Sequence, residues 1–231
     1  MNLIYITNVR MPTKKAHGIQ MIKMCEAFAK MGVNLTFVVP RRLNAIKENI
    51  FDYYGVEKKF NIKKIPSLDF IQFIPWFGFW VQTVSFLFFV FLYVLFLKRK
   101  DNILYTREYL IAFMLKKLGF YVVYESHRII LKKKLFFYFA SSADKIITNS
   151  EGVAREFREN GFKYVLACPN GVDLKDFDIG VSKMELRKRK QLPLDKKIVM
   201  YTGNFYKWKG VDTIFETAKL LSDRAYRGFK R

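Results

Sequence analysis

Residues 3–40 read LIYITNVRMPTKKAHGIQMIKMCEAFAKMGVNLTFVVP. The stretch opens on a short apolar run, 3–7, and closes on another, 35–40. Between them lie a polar segment, 8–18, with Pro12, Lys14, Lys15, His17 and Gly18, and a helical pattern, 19–31. In that pattern Ile22, Cys25, Phe28 and Ala29 fall near one face, and Gly32 stands at the C-terminal end. Strand, glycine-containing loop, helix and strand make a βαβ unit, which implies a parallel sheet. In open parallel sheets ligands gather outside the carboxyl ends of the strands. The His17-Gly18 loop is therefore expected to face a ligand crevice. The plainer readings are a tight turn for Gly18 and an exposed loop position for His17.

Further buried strands are expected at ILYTR (103–107), YVVYE (121–125), KIITN (145–149) and YVLA (164–167). Helices are expected at 109–118, around Leu131 and 135–139, and after Asn149-Ser150, where Ser150 suits an N-cap and Glu151 a first turn. Residues 41–64 read as helix plus loop, and 174–197 as charge-rich loop. Residues 70–97 contain no charged side chain and end at Lys98-Arg99-Lys100. Their length and apolarity satisfy the test for a membrane-spanning helix. A span would separate the strands before it from those after it, and one sheet could not form. Pro75 and Gly78 break its first part, and Gln82, Thr83 and Ser85 interrupt its second. Two readings stay open: a helix packed on the sheet with one face dipping into a membrane, or a true span.

With 231 residues, half of them hydrophobic, the chain can bury a sizeable core. Its net charge of +21 favours an anionic partner. The basic residues recur in clusters beside apolar segments: Lys58-Lys59, Lys63-Lys64, 98–100, Arg128 with 132–134, and 187–190. That distribution suits a membrane face better than a stripe tracking nucleic acid, and no nucleic-acid module stands out. Cys25 and Cys168 lie far apart without a CxxC, as reduced thiols of a cytosolic protein or core residues. The first ten residues lack the basic and small-residue features of a signal peptide.

A second unit is expected to begin at 198–212, IVMYTGNFYKWKGVD. An apolar run ends in Thr202-Gly203, a cationic and aromatic loop leads to Lys209-Gly210, and a helical pattern starts at Val211. Strand, glycine turn, cationic loop and helix can place a lysine and backbone N–H groups around a phosphate. The ordered set of residues 3–40, VVYESH, ADKIITNSEGVAREFRENGF, CPNGVDLKDF and YTGNFYKWKGVDTIFETAKLL resembles glycosyltransferase family 4 over nearly the whole chain.

That resemblance implies the GT-B fold, two Rossmann-like domains facing across a cleft. It implies transfer of a sugar from a nucleotide-sugar donor, with retention of configuration and no cofactor or bound metal. Under it, Gly18 falls in the loop near the diphosphate and the acceptor, with His17 beside it on the acceptor side. His127 falls near the sugar and the reacting centre, where an imidazole could donate to a hydroxyl. The plainer role for His127 is a hydrogen-bonded strand end. Gly203, Asn204 and Lys209 match the diphosphate-binding segment, with Lys209 as its lysine. Asn204 stands where the family usually has an arginine, which removes a bidentate contact, and Lys207 is a possible substitute. Asp176-Phe177-Asp178 superficially matches a DxD metal site but sits in the linker, and reads as surface loop.

The expected architecture is α/β. It has a Rossmann-like N-terminal acceptor domain at 1–168, a linker at 169–197 and an incomplete donor-binding domain at 198–231. No segment matches the family's paired-glutamate motif, and a lone strand and helix cannot cover a second sheet. The chain therefore reads as a truncated transferase that needs a C-terminal half, with a non-catalytic membrane-associated fragment or binding module as the alternative. The expected partners are a nucleotide-sugar, an anionic membrane surface or lipid-linked acceptor, and a separate C-terminal half. The expected location is the cytoplasmic membrane face.

Overall fold

The computed structural model describes residues 2–129 and 133–228, with side chains for all of these except 133, 175, 176 and 222–228. Leu131 and Lys132 of the expected basic helix, and residues 229–231, lie outside the described residues, as does the side chain of Asp176. Seven strands form one parallel sheet: β1 Asn2–Ile6, β2 Asn34–Pro40, β3 Asn61–Ile65, β4 Asn102–Thr106, β5 Tyr121–Ser126, β6 Lys145–Thr148 and β7 Val165–Ala167. Their order is β3-β2-β1-β4-β5-β6-β7. The helices are α1 Ala16–Lys30, α2 Ile50–Tyr54, α3 Pro75–Leu95, α4 Tyr109–Lys117, α5 Lys133–Ala140, α6 Glu151–Glu159, α7 Lys183–Arg189 and α8 Val211–Gly228.

The central strands are apolar on both faces because helices cover both. On one face, Ile4, Ile6, Leu104 and Val122 pack with Phe86 and Val90 of α3, Ile111 and Leu115 of α4, and Phe157 of α6. On the other, Leu3, Tyr5, Phe37 and Tyr105 pack against Met21, Ile22 and Cys25 of α1. Tyr5 lies opposite Phe37 on β2 and Tyr105 on β4, with ring centroids 5.2 and 4.9 Å away in edge-to-face contact.

β3 is a strand that sequence reasoning missed. NIKKI has only Ile65 buried, and its lysines lie exposed at the sheet edge, where charge discourages further pairing. Pro75 and Gly78 do not break the central apolar segment. Pro75 occupies the first turn of α3, where its missing N–H costs no bond. Gly78 is buried inside the helix, and a Cβ there would lie 2.5 Å from the backbone of Phe70. Gly78, Gln82, Phe86, Val90 and Val94, each four residues after the last, form the buried stripe of α3, and Phe86, Val90 and Val94 pack on the sheet. Strands from before and after it lie in the same sheet.

Contacts divide the chain into Met1–Val172 and Asp173–Arg231. In the second unit α7 forms where loop was expected, because Ser182 caps it by accepting from the Glu185 amide at 3.2 Å. α8 forms as a helix from Val211. The expected strand at 198–202 does not form, since no neighbouring strand pairs with it among the described residues.

Candidate active site at the carboxyl ends of the strands

The chain leaves β1 toward β2 on one side, while β4 lies on the other. This reversal opens a crevice at their carboxyl ends. Asn8 follows β1, Arg107 and Glu108 follow β4, and His127 follows β5. α1 begins at Ala16, so His17 and Gly18 stand in a helical first turn and not in the loop expected for them. Gly18 is required by close approach, not by a turn. A Cβ there would lie 2.3 Å from the Tyr54 hydroxyl and 2.5 Å from Thr13 Cγ2. That hydroxyl accepts from the Thr13 amide at 2.8 Å and donates to the Thr13 carbonyl at 2.9 Å. It thereby ties the segment before α1 to α2.

Glu125 organises the site. Its Oε1 accepts from Arg107 Nη2 at 2.6 Å and lies 2.6 Å from His127 Nε2. Its Oε2 accepts from Arg107 Nε at 2.8 Å and from the Tyr105 hydroxyl at 2.9 Å. Burial alone would raise the carboxyl's pKa. The hydrogen bonds from His127 and Arg107, with the guanidinium charge, overcome this and hold it at about 2. An ionised carboxylate only accepts, so His127 Nε2 carries the hydrogen of that contact. Arg107 also donates through Nη2 to Gln20 Oε1 on α1, and Gln20 Nε2 donates to Asn170 Oδ1 at 3.2 Å. Burial works against the Arg107 charge, but its bond to Glu125 more than offsets this and raises its pKa.

A second polar group lines the switch point. Gln82 of α3 donates to Asn8 Oδ1 at 2.7 Å, and the Asn8 amide donates to Glu108 Oε1 at 3.4 Å. Burial pushes the Glu108 carboxyl above its ordinary range, opposed only in part by the Asn8 amide and Arg107. His17 is shifted down, first by burial and then by the charges of Lys15 and Arg107. Lys15 and Arg107 thus bring positive charge near the first turn of α1.

Of the expected residues, His17, Gly18 and His127 fall in the first unit. Gly203, Asn204 and Lys209 fall in the second. There, Gly203 has φ of +150°, and a Cβ on it would lie 3.7 Å from Lys209 Nζ, so the glycine and the lysine are neighbours. Lys209 Nζ also lies 5.2 Å from the centre of the Trp208 ring. The Asn204 carbonyl accepts from the Tyr201 hydroxyl at 2.9 Å. Sequence reasoning missed Arg107, Gln20 and Glu108, and used Glu125 only as a strand end. The available signal was polarity at the end of an apolar strand: TRE after ILY, ES after VVY. No group of three or more His, Cys, Asp or Glu among the described residues could hold a metal ion.

The family model for Glycosyltransferase Family 4 matches residues 18–176, which include Gly18, Arg107, the Glu125–His127 pair and the segment to the second unit. The chain belongs to glycosyltransferase family 4. No curated protein matches the sequence. Among solved structures, sucrose-phosphate synthase from Thermosynechococcus elongatus shares 16% identity at a TM-score of 0.66, over 93% of this chain and 58% of that one. The trehalose-6-phosphate phosphatase N-terminal domain of Candida albicans shares 13% at 0.54, over 82% and 53%. A UDP-glucosyltransferase from Polygonum tinctorium shares 9% at 0.51, over 83% and 57%. At these identities the likeness is one of fold, of the kind seen in GT-B glycosyltransferases. The family 4 chain spans between half and three-fifths of each of these structures.

Proposed function

We propose that this family 4 chain supplies the acceptor-side domain of a retaining glycosyltransferase. It uses a nucleotide-sugar donor and a lipid-linked or polysaccharide-precursor acceptor at the cytoplasmic face of a membrane. The observation that carries the reading is His127, held at 2.6 Å by the ionised Glu125 at the carboxyl end of β5. With Nε2 committed to the carboxylate, Nδ1 is the nitrogen with which His127 meets a sugar hydroxyl. Glu125 and Arg107 act through it as positioning residues, because both carboxylate oxygens are already occupied by donors.

The first turn of α1, which holds Gly18, favours negative charge and suits the donor diphosphate, while His17 stands beside it on the acceptor side. Within the second unit, Lys209 beside Gly203 offers a mobile point charge suited to a phosphate. In this mechanism cationic side chains and helix N-termini offset the leaving diphosphate without a bound metal. Transfer also requires a complete donor-side domain, on this or a separate chain, because Val211 is the one buried side chain among those described in the second unit.

The test is binding and turnover with a panel of nucleotide-sugars, read by calorimetry and by nucleoside diphosphate release. We expect donor binding at millimolar concentration. With a complete donor-side domain present, His127→Ala should lower release by about a hundredfold or more, the usual scale for a positioned acid–base group, without unfolding the chain. Undetectable binding at millimolar donor would exclude an autonomous enzyme and favour the second reading, a non-catalytic membrane-associated module. That reading draws on the exposed aromatic face of α3.

A further inference from the structure

The inner stripe of α3 lies on the sheet, and the opposite stripe is just as apolar. Trp76, Trp80, Val84, Phe88, Leu92 and Phe96 follow one another at four-residue intervals. All are exposed, Trp76 to 78% and Phe96 to 89%. They lie two positions from the buried series and so about 160° around the helix from it, at about 100° per residue. An amphipathic surface helix puts polar residues there. This helix is about 31 Å long at about 1.5 Å per residue, so the band is a contiguous apolar surface of the kind that marks an interaction site.

The charge around the band says what covers it. No acidic residue occurs between Asp69 and Asp101. Asp69 itself is bonded to Arg42 at 3.1 Å. Lys98, Arg99 and Lys100 stand exposed just after the helix, and Lys63 and Lys64 stand exposed on β3, which packs beside it. Two copies of a chain of net charge +21 would bring like charges together across such a face. An aromatic band with a cationic margin fits an anionic lipid surface.

We infer that the outer stripe of α3 docks the protein on an anionic bilayer, with the helix lying in the interfacial plane and not across the membrane. Its inner face is committed to the sheet, and Gln82 on that face bonds Asn8 at the crevice. A spanning position would pull the helix from both. The same bond places the N-terminal half of α3, with Trp76 and Trp80, at the crevice end of the sheet. Docking there brings the crevice to the lipid surface, where a lipid-linked acceptor would present its sugar. That consequence rests on the function proposed above, whereas the docking does not.

The experiment is flotation of the whole chain with vesicles of phosphatidylglycerol and phosphatidylcholine in equal parts, and with phosphatidylcholine alone. No donor or acceptor is present, so the result is independent of transferase activity. We expect binding to the anionic vesicles. It should weaken about tenfold or more in the double variant Trp80→Ser/Phe88→Ser, and several-fold in Lys98→Glu/Lys100→Glu, with unchanged circular dichroism. With Trp208→Phe removing the remaining tryptophan, brominated lipid should quench the Trp76 and Trp80 emission, and alkaline carbonate should release the protein. Absence of binding to anionic vesicles would overturn the inference, as would binding that both double variants leave intact. Resistance to carbonate would replace it with a span. A concentration-dependent dimer abolished by Trp80→Ser/Phe88→Ser, without vesicle binding, would assign the face to a second copy.

Discussion

LTFVVP at residues 35–40 and IVMY at residues 198–201 are the same kind of sequence and meet opposite fates. The first becomes β2, hydrogen-bonded to β1 and β3, with Phe37, Val38 and Val39 fully buried. The second pairs with no strand among the described residues, and Val199 and Met200 lie 89% and 78% exposed. Local apolarity is equal, so the difference comes from neighbours. A strand's backbone groups and both of its faces are satisfied only by other elements. The first unit has them. The second offers one buried side chain among those described, Val211.

Urea unfolding gives the sharpest test of this contrast. Phe37→Ala should cost about 3–5 kcal/mol, as for a fully buried aromatic, while Met200→Ala should stay within about 0.5 kcal/mol. Equal costs would mean that residues 198–201 are covered in solution, and the two runs would no longer differ.

Acid unfolding probes the polar part of the first unit. Glu125 is held at about 2 against an ordinary 4.5, so between those values the folded state binds fewer protons than the unfolded one. Its contribution is fully present above pH 4.5 and is lost as pH falls toward 2, a change on the order of 3 kcal/mol. Glu125→Gln should abolish that segment of the acid-stability curve. An unchanged curve would show that the Arg107–Glu125–His127 network is not formed.

A smaller effect is expected at α1. Gly18→Ala should destabilise by about 1–3 kcal/mol, the usual cost of overpacking, because the added methyl displaces the Tyr54 hydroxyl from Thr13. The double variant Gly18→Ala/Tyr54→Phe should recover part of that loss. The least effect on stability belongs to the second unit. Lys209→Ala should change it by less than about 0.5 kcal/mol, while weakening the binding of a nucleoside diphosphate measured by calorimetry. A large stability loss there would mean that the lysine holds structure and not ligand.

Several features of the fold were legible because they are local. Strand, helix and strand over residues 3–40 set the parallel sheet, and Ser150 marked the start of α6 with its hydroxyl accepting from the Val153 amide at 3.4 Å. β3 was hidden because an edge strand carries lysines where a central strand carries valines. The helical start at Ala16 was hidden because no side chain caps it. His127 was singled out by resemblance, and Gly18 first by its place in the βαβ unit. Arg107 was passed over because its importance lies in a bond to Glu125, 18 residues away in the chain and on the neighbouring strand.

The sequence by itself determined which segments are apolar, how they alternate between strand and helix, and which family their order resembles. These follow from side-chain periodicity and backbone preference, which act over a few residues. Only the tertiary structure decided that Arg107, Glu125 and His127 form one network. It alone showed that Gly18 yields space to Tyr54, that α3 rests on the sheet by one stripe and exposes another, and that IVMY is no strand. Each of these depends on what lies alongside in space, and hydrogen bonds and burial are completed by partners distant in the chain.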